Sequence, residues 1–303
     1  MVSQELNPIY DTLKYTFPKL ERLSLSSCNL TKFPYFLNSL KRLTMLDLSL
    51  NRISQEIPTW FWGISHDTLE TLYLSSKLLE GASNNSFTGE IPSLICQCSS
   101  FQHLDMFYNN FSRNIPSCFG NIANLEYLNL RNNKLQGLLP HFLLKYLEAP
   151  QLYNLDLRLN KFHGAINLTI FELSFSALEV LVIFNNNFAG CNKTTRKIPS
   201  LICNATEVKI IDLSNNSLTG SLPQCLTNFY RSIIRILTNL TTIDLLCNSF
   251  QGNIPKVIGH LHSLIGLNLS RNHLTGSIPS TLGNLTNLEW LDLSLNKLGG
   301  GNS

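Results

Sequence analysis

The sequence predicts an α/β-class repeat solenoid wound around one parallel β-sheet, and three observations carry that prediction. The stretch 264–298, LIGLNLSRNHLTGSIPSTLGNLTNLEWLDLSLNKL, nearly superimposes on itself when shifted by 24 residues, so that Leu264/Leu288, Leu267/Leu291, Leu269/Leu293, Asn272/Asn296 and Leu274/Leu298 coincide. The opening of that skeleton, LxxLxL, recurs with starts at Leu20, Leu43, Leu69, Phe101, Leu125, Leu152, Leu178, Val208, Leu240, Leu264 and Leu288. The composition is 44% hydrophobic and only 14% charged, which suits a long array with a polar but largely uncharged surface. A fixed apolar and Asn skeleton at such a period means coils that pack only on their neighbours, and this overrides the two-domain prior for a chain of 303 residues.

Each part of a coil has a physical reading. LxxLxL is a short strand whose leucines point inward while the residues between them face solvent on the concave side. Eleven such strands at roughly 4.8 Å spacing give a concave face of about 50 Å. The Asn that comes next (Asn51, Asn109, Asn133, Asn160, Asn186, Asn216, Asn248, Asn272, Asn296) stands where the chain turns inward. Its amide both donates to and accepts from turn backbone that would otherwise be buried unsatisfied. Cys28 occupies that position in the first coil and is expected to be buried and inert. The Gly of LxGxIP permits a turn that a side chain would resist, and the Ile-Pro pair is held extended, sealing the convex side without a ladder N–H.

The intervals between starts are 23, 26, 32, 24, 27, 26, 30, 32, 24 and 24 residues. The long ones mark irregular segments at about 77–84, 190–198 and 228–239. At 77–83 a strand repeat ends in SSKLLEGA and runs directly into a half repeat, NNSFTGEIP, that lacks its own LxxLxL. At 191–197 Gly190 stands too far from Ile198-Pro199, and 228–238 reads NFYRSIIRILT. Deletions or gene-model junctions are the expected cause, with looped insertions as the alternative. Residues 1–19 form a partial N-terminal flank and 20–303 the solenoid.

The repeat form xLxGxIPxxLGNLxx resembles the plant-specific class of extracellular leucine-rich repeats, and the resemblance covers nearly the whole chain. Several segments narrow it to the receptor-like proteins of plants: LSSCNLTKFPYFL (25–37), NNSFTGEIPSLIC (84–96), LRNNKLQGLLP (130–140), LNKFHGAI (159–166) and LTNLTTIDLLCNSFQGNIPKVIGHLHSLIGLNLS (237–270). In that family they occur in this order towards the C-terminal end of the ectodomain. The resemblance implies a horseshoe or superhelix with a parallel concave sheet and a 3-10 or irregular convex side. It also implies perception of a protein or peptide ligand at the extracellular face of the plasma membrane, in defence or development. Signalling runs through a partner receptor kinase as co-receptor, since the family has no kinase of its own. Its C-terminal repeats, here 240–298, are implicated in co-receptor contact, and at 228–238 the family carries a longer non-repeat island.

Other classes find little support. The net charge of +3 argues for neither nucleic acid nor an anionic membrane. No run of 18 apolar residues is present to span a bilayer and the first residues lack a signal-peptide pattern, so membrane attachment would need a segment absent from this chain. No GxSxG, HExxH, Walker A or GxGxxG occurs, and His260 and His262 have no accompanying carboxylate, so neither an enzyme nor a cofactor is expected. Eight cysteines fit an oxidising compartment. Cys96 and Cys118, and likewise Cys203 and Cys225, stand 22 residues apart at matching places on adjacent coils, as disulfides or as small buried residues. Cys98, Cys191 and Cys247 have no evident partner, and the Cys96-Gln97-Cys98 spacing lacks the second ligand pair of a metal site. Glycosylation sequons stand at Asn29, Asn84, Asn110, Asn167, Asn192, Asn204, Asn239 and Asn284, and also at Asn215 and Asn268 on the concave side.

The solvent-facing columns of the strands carry the functional reading. In regular repeats they are small or polar, as at Ser214 and Ser294. In four central repeats they become His103, Phe107 and Tyr108; Tyr127 and Arg131; Tyr153 and Arg158; Val180, Val182 and Phe184. Aromatic and Arg residues aligned on adjacent strands supply a protein or peptide hot spot; repeat drift and cross-strand packing are the alternatives. The evenly recurring Asp47, Asp105, Asp156, Asp212, Asp244 and Asp292 read as structural. A soluble inhibitor of secreted pathogen enzymes, like the polygalacturonase-inhibiting proteins, is the alternative function, and a truncated receptor fragment without function of its own is the third. Uncapped solenoid ends expose an apolar coil and a strand edge, so marginal solubility is expected of the isolated chain; a stable, cooperative monomer in sedimentation and melting experiments would count against this.

Overall fold

Each LxxLxL stretch forms a three-residue strand, and the eleven strands lie side by side in one parallel sheet in strict chain order. The computed structural model describes residues 17–64, 67–76, 85–139, 151–165, 177–189, 207–222 and 239–299. The strands are Arg22–Ser24, Met45–Asp47, Thr71–Tyr73, His103–Asp105, Tyr127–Asn129, Asn154–Asp156, Val180–Val182, Ile210–Asp212, Thr242–Asp244, Gly266–Asn268 and Trp290–Asp292. Their register never slips. The central residue of each pairs with the central residue of the next, from Leu23 with Leu46 through Leu128 with Leu155 to Leu267 with Leu291. A slip of one residue would turn the leucines to solvent, so the inward face pins the register.

The convex side is built as the Ile-Pro reading requires. Tyr35–Ser39, Thr59–Gly63, Ser93–Gln97, Ser117–Asn121, Lys256–His260 and Ser280–Asn284 are 3-10 helices, each entered through a proline. Five residues at this pitch are too few for α-helix, and the next N–H closes an i to i−3 bond, as from Leu285 to Leu282. Between the concave sheet and these helices lies a layer of leucines with a phenylalanine spine, in which Phe87 stacks on Phe111 at 6.0 Å and Phe162 on Phe188 at 6.1 Å.

A second layer of strands was not anticipated. The LxGxI stretches, read as turns, pair with one another in two further parallel sheets of four strands. One comprises Ser112–Arg113, Lys134–Gly137, Lys161–Ala165 and Asn187–Ala189; the other Thr219–Ser221, Ser249–Asn253, His273–Gly276 and Lys297–Leu298. Glycine is still needed there: Gly137 has φ +92°, and a Cβ on it would fall on the Asn114 amide.

The asparagine column does what its chemistry suggests. Asn133 Nδ2 donates to the Met106, Leu130 and Arg131 carbonyls, and its Oδ1 accepts from the Phe111 N–H at 3.1 Å. Asn51, Asn109, Asn160, Asn186, Asn216, Asn248, Asn272 and Asn296 repeat this pattern, tying their own turn to the preceding coil. The coil that starts at Leu69 also has its member. Asn85 donates to the Leu48 and Leu74 carbonyls and accepts from the Ile53 N–H. The half repeat after 77–84 thus completes the coil begun at Leu69. Residues 77–84 and 190–198, and all of 228–239 except Asn239, lie outside the described residues. Cys28 departs from expectation: it is exposed, and its thiol reaches only the Ser26 carbonyl, because no earlier described coil covers it and a thiol cannot make the amide's paired bonds.

Asn133→Ala leaves the Phe111 N–H and three carbonyl contacts unanswered inside the coil and should lower unfolding free energy by about 2–4 kcal/mol. Asn133→Asp keeps the acceptor but loses both donors, and should cost at least as much. Urea midpoints of the two variants against the parent check this.

Candidate ligand-binding face

The central strands set three ribs of side chains across the concave sheet. The first holds His103, Tyr127 and Tyr153, with ring centroids 6.3 Å and 6.4 Å apart. Tyr153 enters this rib from one position earlier than its column: Tyr127 is in register with Asn154, yet the Tyr153 ring leans to it. The Tyr127 hydroxyl accepts from Asn129 Nδ2 at 3.2 Å, and burial raises the phenol's pKa, as it does for Tyr153.

The third rib tracks the strands' last outward position. Phe107, Arg131, Arg158 and Phe184 lie side by side, fixed by backbone bonds from Tyr108 to Arg131, Asn132 to Arg158 and Leu159 to Phe184. The Arg131 guanidinium lies over the Phe107 ring at 5.0 Å, and that of Arg158 over Phe184 at 5.5 Å. Stacking on an aromatic face fixes a guanidinium while leaving its N–H edge open.

Between these ribs runs the acidic column, whose role is visible. Oδ1 of Asp105 accepts the Phe107 N–H at 2.9 Å, and Asp47, Asp156, Asp212, Asp244 and Asp292 do the same two residues on. Asn129 and Asn268 substitute with the same bond to Arg131 and Ser270. The column terminates the strands that carry an Asp or Asn there through a side-chain turn. Asp156 does more: its Oδ2 lies 2.8 Å from Arg158 Nε as an ion pair. Sequence reasoning set Asp156 aside with its column. The Asp-x-Arg spacing, which puts both on one face of a strand, was the signal that marks it.

All eight residues expected on the face are half-buried: His103, Phe107, Tyr108, Tyr127, Arg131, Tyr153, Arg158 and Phe184. Tyr108 packs edge-on against Phe107 at 5.8 Å, but its backbone is left-handed, φ 55°. Leu50, Asn132, Leu159, Asn185, Cys247, Arg271 and Leu295 share that conformation at the same place in their coils, so the turn is set by the fold rather than by the side chain. Val182 is buried and closed to a ligand.

Of the remaining positions, Cys96 and Cys118 form a disulfide with Cα atoms 5.8 Å apart, while Cys203 and Cys225 lie outside the described residues. Cys98 is buried, which pushes its thiol up to about 12 and leaves it unreactive. Among the sequons, Asn29, Asn215, Asn239 and Asn284 are exposed and Asn110 is half-buried; Asn84, Asn167, Asn192 and Asn204 lie outside the described residues. Asn268 is already engaged with Asp244 and Ser270. Among the described residues no cluster of three or more His, Cys, Asp or Glu is placed to hold a metal, and no helix is long and apolar enough to cross a membrane.

Family models described as leucine rich repeat match residues 19–40, 42–64, 100–122, 124–145, 207–229 and 238–298. The chain belongs to the leucine-rich repeat family. Within it, the chain is similar to plant receptor-like proteins: 33% identical over 325 residues to receptor-like protein 53 and 33% over 322 residues to receptor-like protein 35, both of Arabidopsis thaliana. These matches take in 82% and 81% of this leucine-rich repeat chain, which spans about a third, 32% and 33%, of those relatives. Its fold is similar to the plant peptide hormone receptor RGFR1 in complex with RGF2, with TM-score 0.74 and 27% identity over 93% of this chain and 45% of that one. It is also similar to the Arabidopsis receptor kinase HAESA in complex with the peptide hormone IDA and the co-receptor SERK1, with TM-score 0.63 and 29% identity over 93% and 50%.

Burial pushes the Asp105 carboxyl up to about 6, opposed by the Phe107 N–H and reinforced by Asp156 and Asp47. The folded chain therefore keeps this proton where the unfolded chain, titrating near pH 4, has lost it, so ionising Asp105 costs stability as pH rises from about 4 to about 6. Asp105→Asn keeps the turn acceptor, as Asn129 shows. It should stabilise the fold by about 1–2 kcal/mol near pH 7 and by nothing below about pH 4, as urea midpoints at the two pH values would show.

Proposed function

We propose that the chain is the ligand-recognition part of a plant cell-surface receptor-like protein, and that its concave face at Phe101–Phe184 binds an extended protein or peptide segment. The observation that carries this is the set of half-buried aromatic and Arg side chains on four adjacent strands, in place of the small polar residues of the regular repeats. Such rings are already positioned by their neighbours, so a ligand buries them at small cost in side-chain entropy. The solved relatives with bound peptide hormones support the same use of the fold. An extracellular setting accords with the Cys96–Cys118 disulfide and the exposed sequons.

Signalling then falls to a partner kinase. The regular strands from Leu240 to Leu298 suit a docking surface, and Trp290, exposed on the last strand and laid across Gly266, offers it an anchor.

Peptides selected from a random displayed library on the 303-residue chain should lose about a hundredfold or more in affinity when Tyr127, Tyr153 and Phe184 are together changed to alanine, with the urea midpoint little altered. Binding retained by a folded triple variant would exclude this face as the ligand site.

A further inference from the structure

The regular end of the concave face carries one ring that its neighbours lack. Thr242, Gly266 and Trp290 stand in register at the first outward position of three consecutive strands. The indole leans back over the strand before its own: a Cβ on Gly266 would collide with Cζ2, Cε2 and Nε1 of Trp290. The absent side chain lets the ring lie on that backbone, since Val180, Ile210 and Thr242 fill the same position in earlier coils. One face of the indole is thus set against the sheet, and Trp290 keeps 42% of its surface exposed.

Two residues on, roughly 6.6 Å along the strands, Asp244, Asn268 and Asp292 form a polar row beside the ring. Each spends Oδ1 on a turn N–H, that of Leu246, Ser270 or Ser294, and the carboxylates keep further acceptor sites. Asn268 Nδ2 keeps a second donor besides the one it extends to Asp244 Oδ2 at 3.4 Å. The Ser294 N–H holds the Asp292 carboxyl below the usual carboxylate range, so it is ionised at neutral pH. Asp212 acts on Asp244, Glu289 is exposed beside Trp290, and Arg271 acts on Asp292 without an ion pair. Counted with that arginine, the patch stays net negative.

A Trp that anchors a protein interface fills a pocket in the partner, whereas a ring laid on its own backbone offers only a face. An electron-rich face beside a row of acceptors and an amide suits a pyranose, which has C–H bonds on one side and hydroxyls around its edge. We infer that Trp290, laid on Gly266, and the row Asp244, Asn268 and Asp292 form a subsite for an uncharged hexopyranose of an oligosaccharide. The sugar's C–H face lies on the indole and its edge hydroxyls bond the row. The negative charge of the patch excludes sugars that carry a carboxylate. This site is distinct from the peptide site at Phe101–Phe184, and a partner seated on Leu240–Leu298 covers the same ring.

The test uses the full chain and three hexasaccharides: β-1,4-linked glucose, β-1,4-linked mannose, and the glucose chain oxidised to uronic acids at C6. Titration calorimetry reads affinity and intrinsic fluorescence reads the ring, since Trp62 is buried, Trp60 half-buried and Trp290 the exposed tryptophan. At least one neutral hexasaccharide should bind saturably and shift the emission, and the oxidised chain should bind about threefold or more weakly than the glucose chain. Trp290→Ala should weaken neutral binding about tenfold or more and remove the emission shift. Gly266→Val keeps the indole but displaces it, and should cost about as much with the urea midpoint little altered. Asp292→Asn keeps the turn acceptor, as Asn268 does, and should admit the oxidised chain. No saturable binding of either neutral hexasaccharide overturns the inference and leaves the ring to a protein partner. Full affinity in a folded Trp290→Ala or Gly266→Val variant overturns the platform, and an oxidised chain bound as tightly as the glucose chain overturns the charge selection.

Discussion

The solenoid depends on one interaction repeated along its length: an asparagine amide that answers the backbone where each coil turns inward. At that point the chain leaves the concave sheet and carries its carbonyls and an N–H into an apolar layer with no water to meet them. Asn133 satisfies three carbonyls and one N–H drawn from two coils, and its equivalents do the same from Asn51 to Asn296. No other side chain offers two donors and a carbonyl acceptor in so short a reach. The bonds that close one coil also fix its distance to the next, which keeps eleven short strands in register. Strands of three residues have little pairing strength of their own; the ladder and the leucine layer hold them.

With spacing and register settled by the ladder, the concave columns are released from structural duty, apart from the Asp and Asn residues that end most of the strands. A side chain on one strand then meets its counterpart on the next at a fixed spacing, so an Arg beside a Phe becomes a stacked pair. The same regularity explains why the candidate face lies in the middle of the array. Departures from small polar residues accumulate on consecutive strands there, while Ser24, Ser26 and Ser49 continue the plain pattern before them and Ser214, Ser270 and Ser294 after.

Most of the fold was legible because the periodicity is the fold. LxxLxL gave the position of every concave strand, Ile-Pro the convex side, and Asn the inward turn. The second strand layer was not legible, since LxGxI reads as a turn within one coil and becomes a strand only when the stretches of Lys134–Gly137 and Lys161–Ala165 lie side by side. Asn85 was missed for a related reason: it stands sixteen residues after Leu69 rather than eight, and only the stacked coils show that it fills the ladder. Cys28 was misread because burial at a ladder position requires a covering coil, which position in the repeat does not reveal.

The sequence by itself determined the solenoid, the order of its strands, the asparagine ladder and the stretch of the concave face where aromatic and Arg side chains gather, because each of these comes from residue type at a fixed period. Only the tertiary structure decided which of those residues meet. It brought Tyr153 to Tyr127 across columns, laid Arg131 on Phe107 and Arg158 on Phe184, buried Val182, and paired Asp156 with Arg158. The ring and cation–ring pairings join side chains more than twenty residues apart in the chain, and their geometry is set by how neighbouring coils stack, which no single repeat contains.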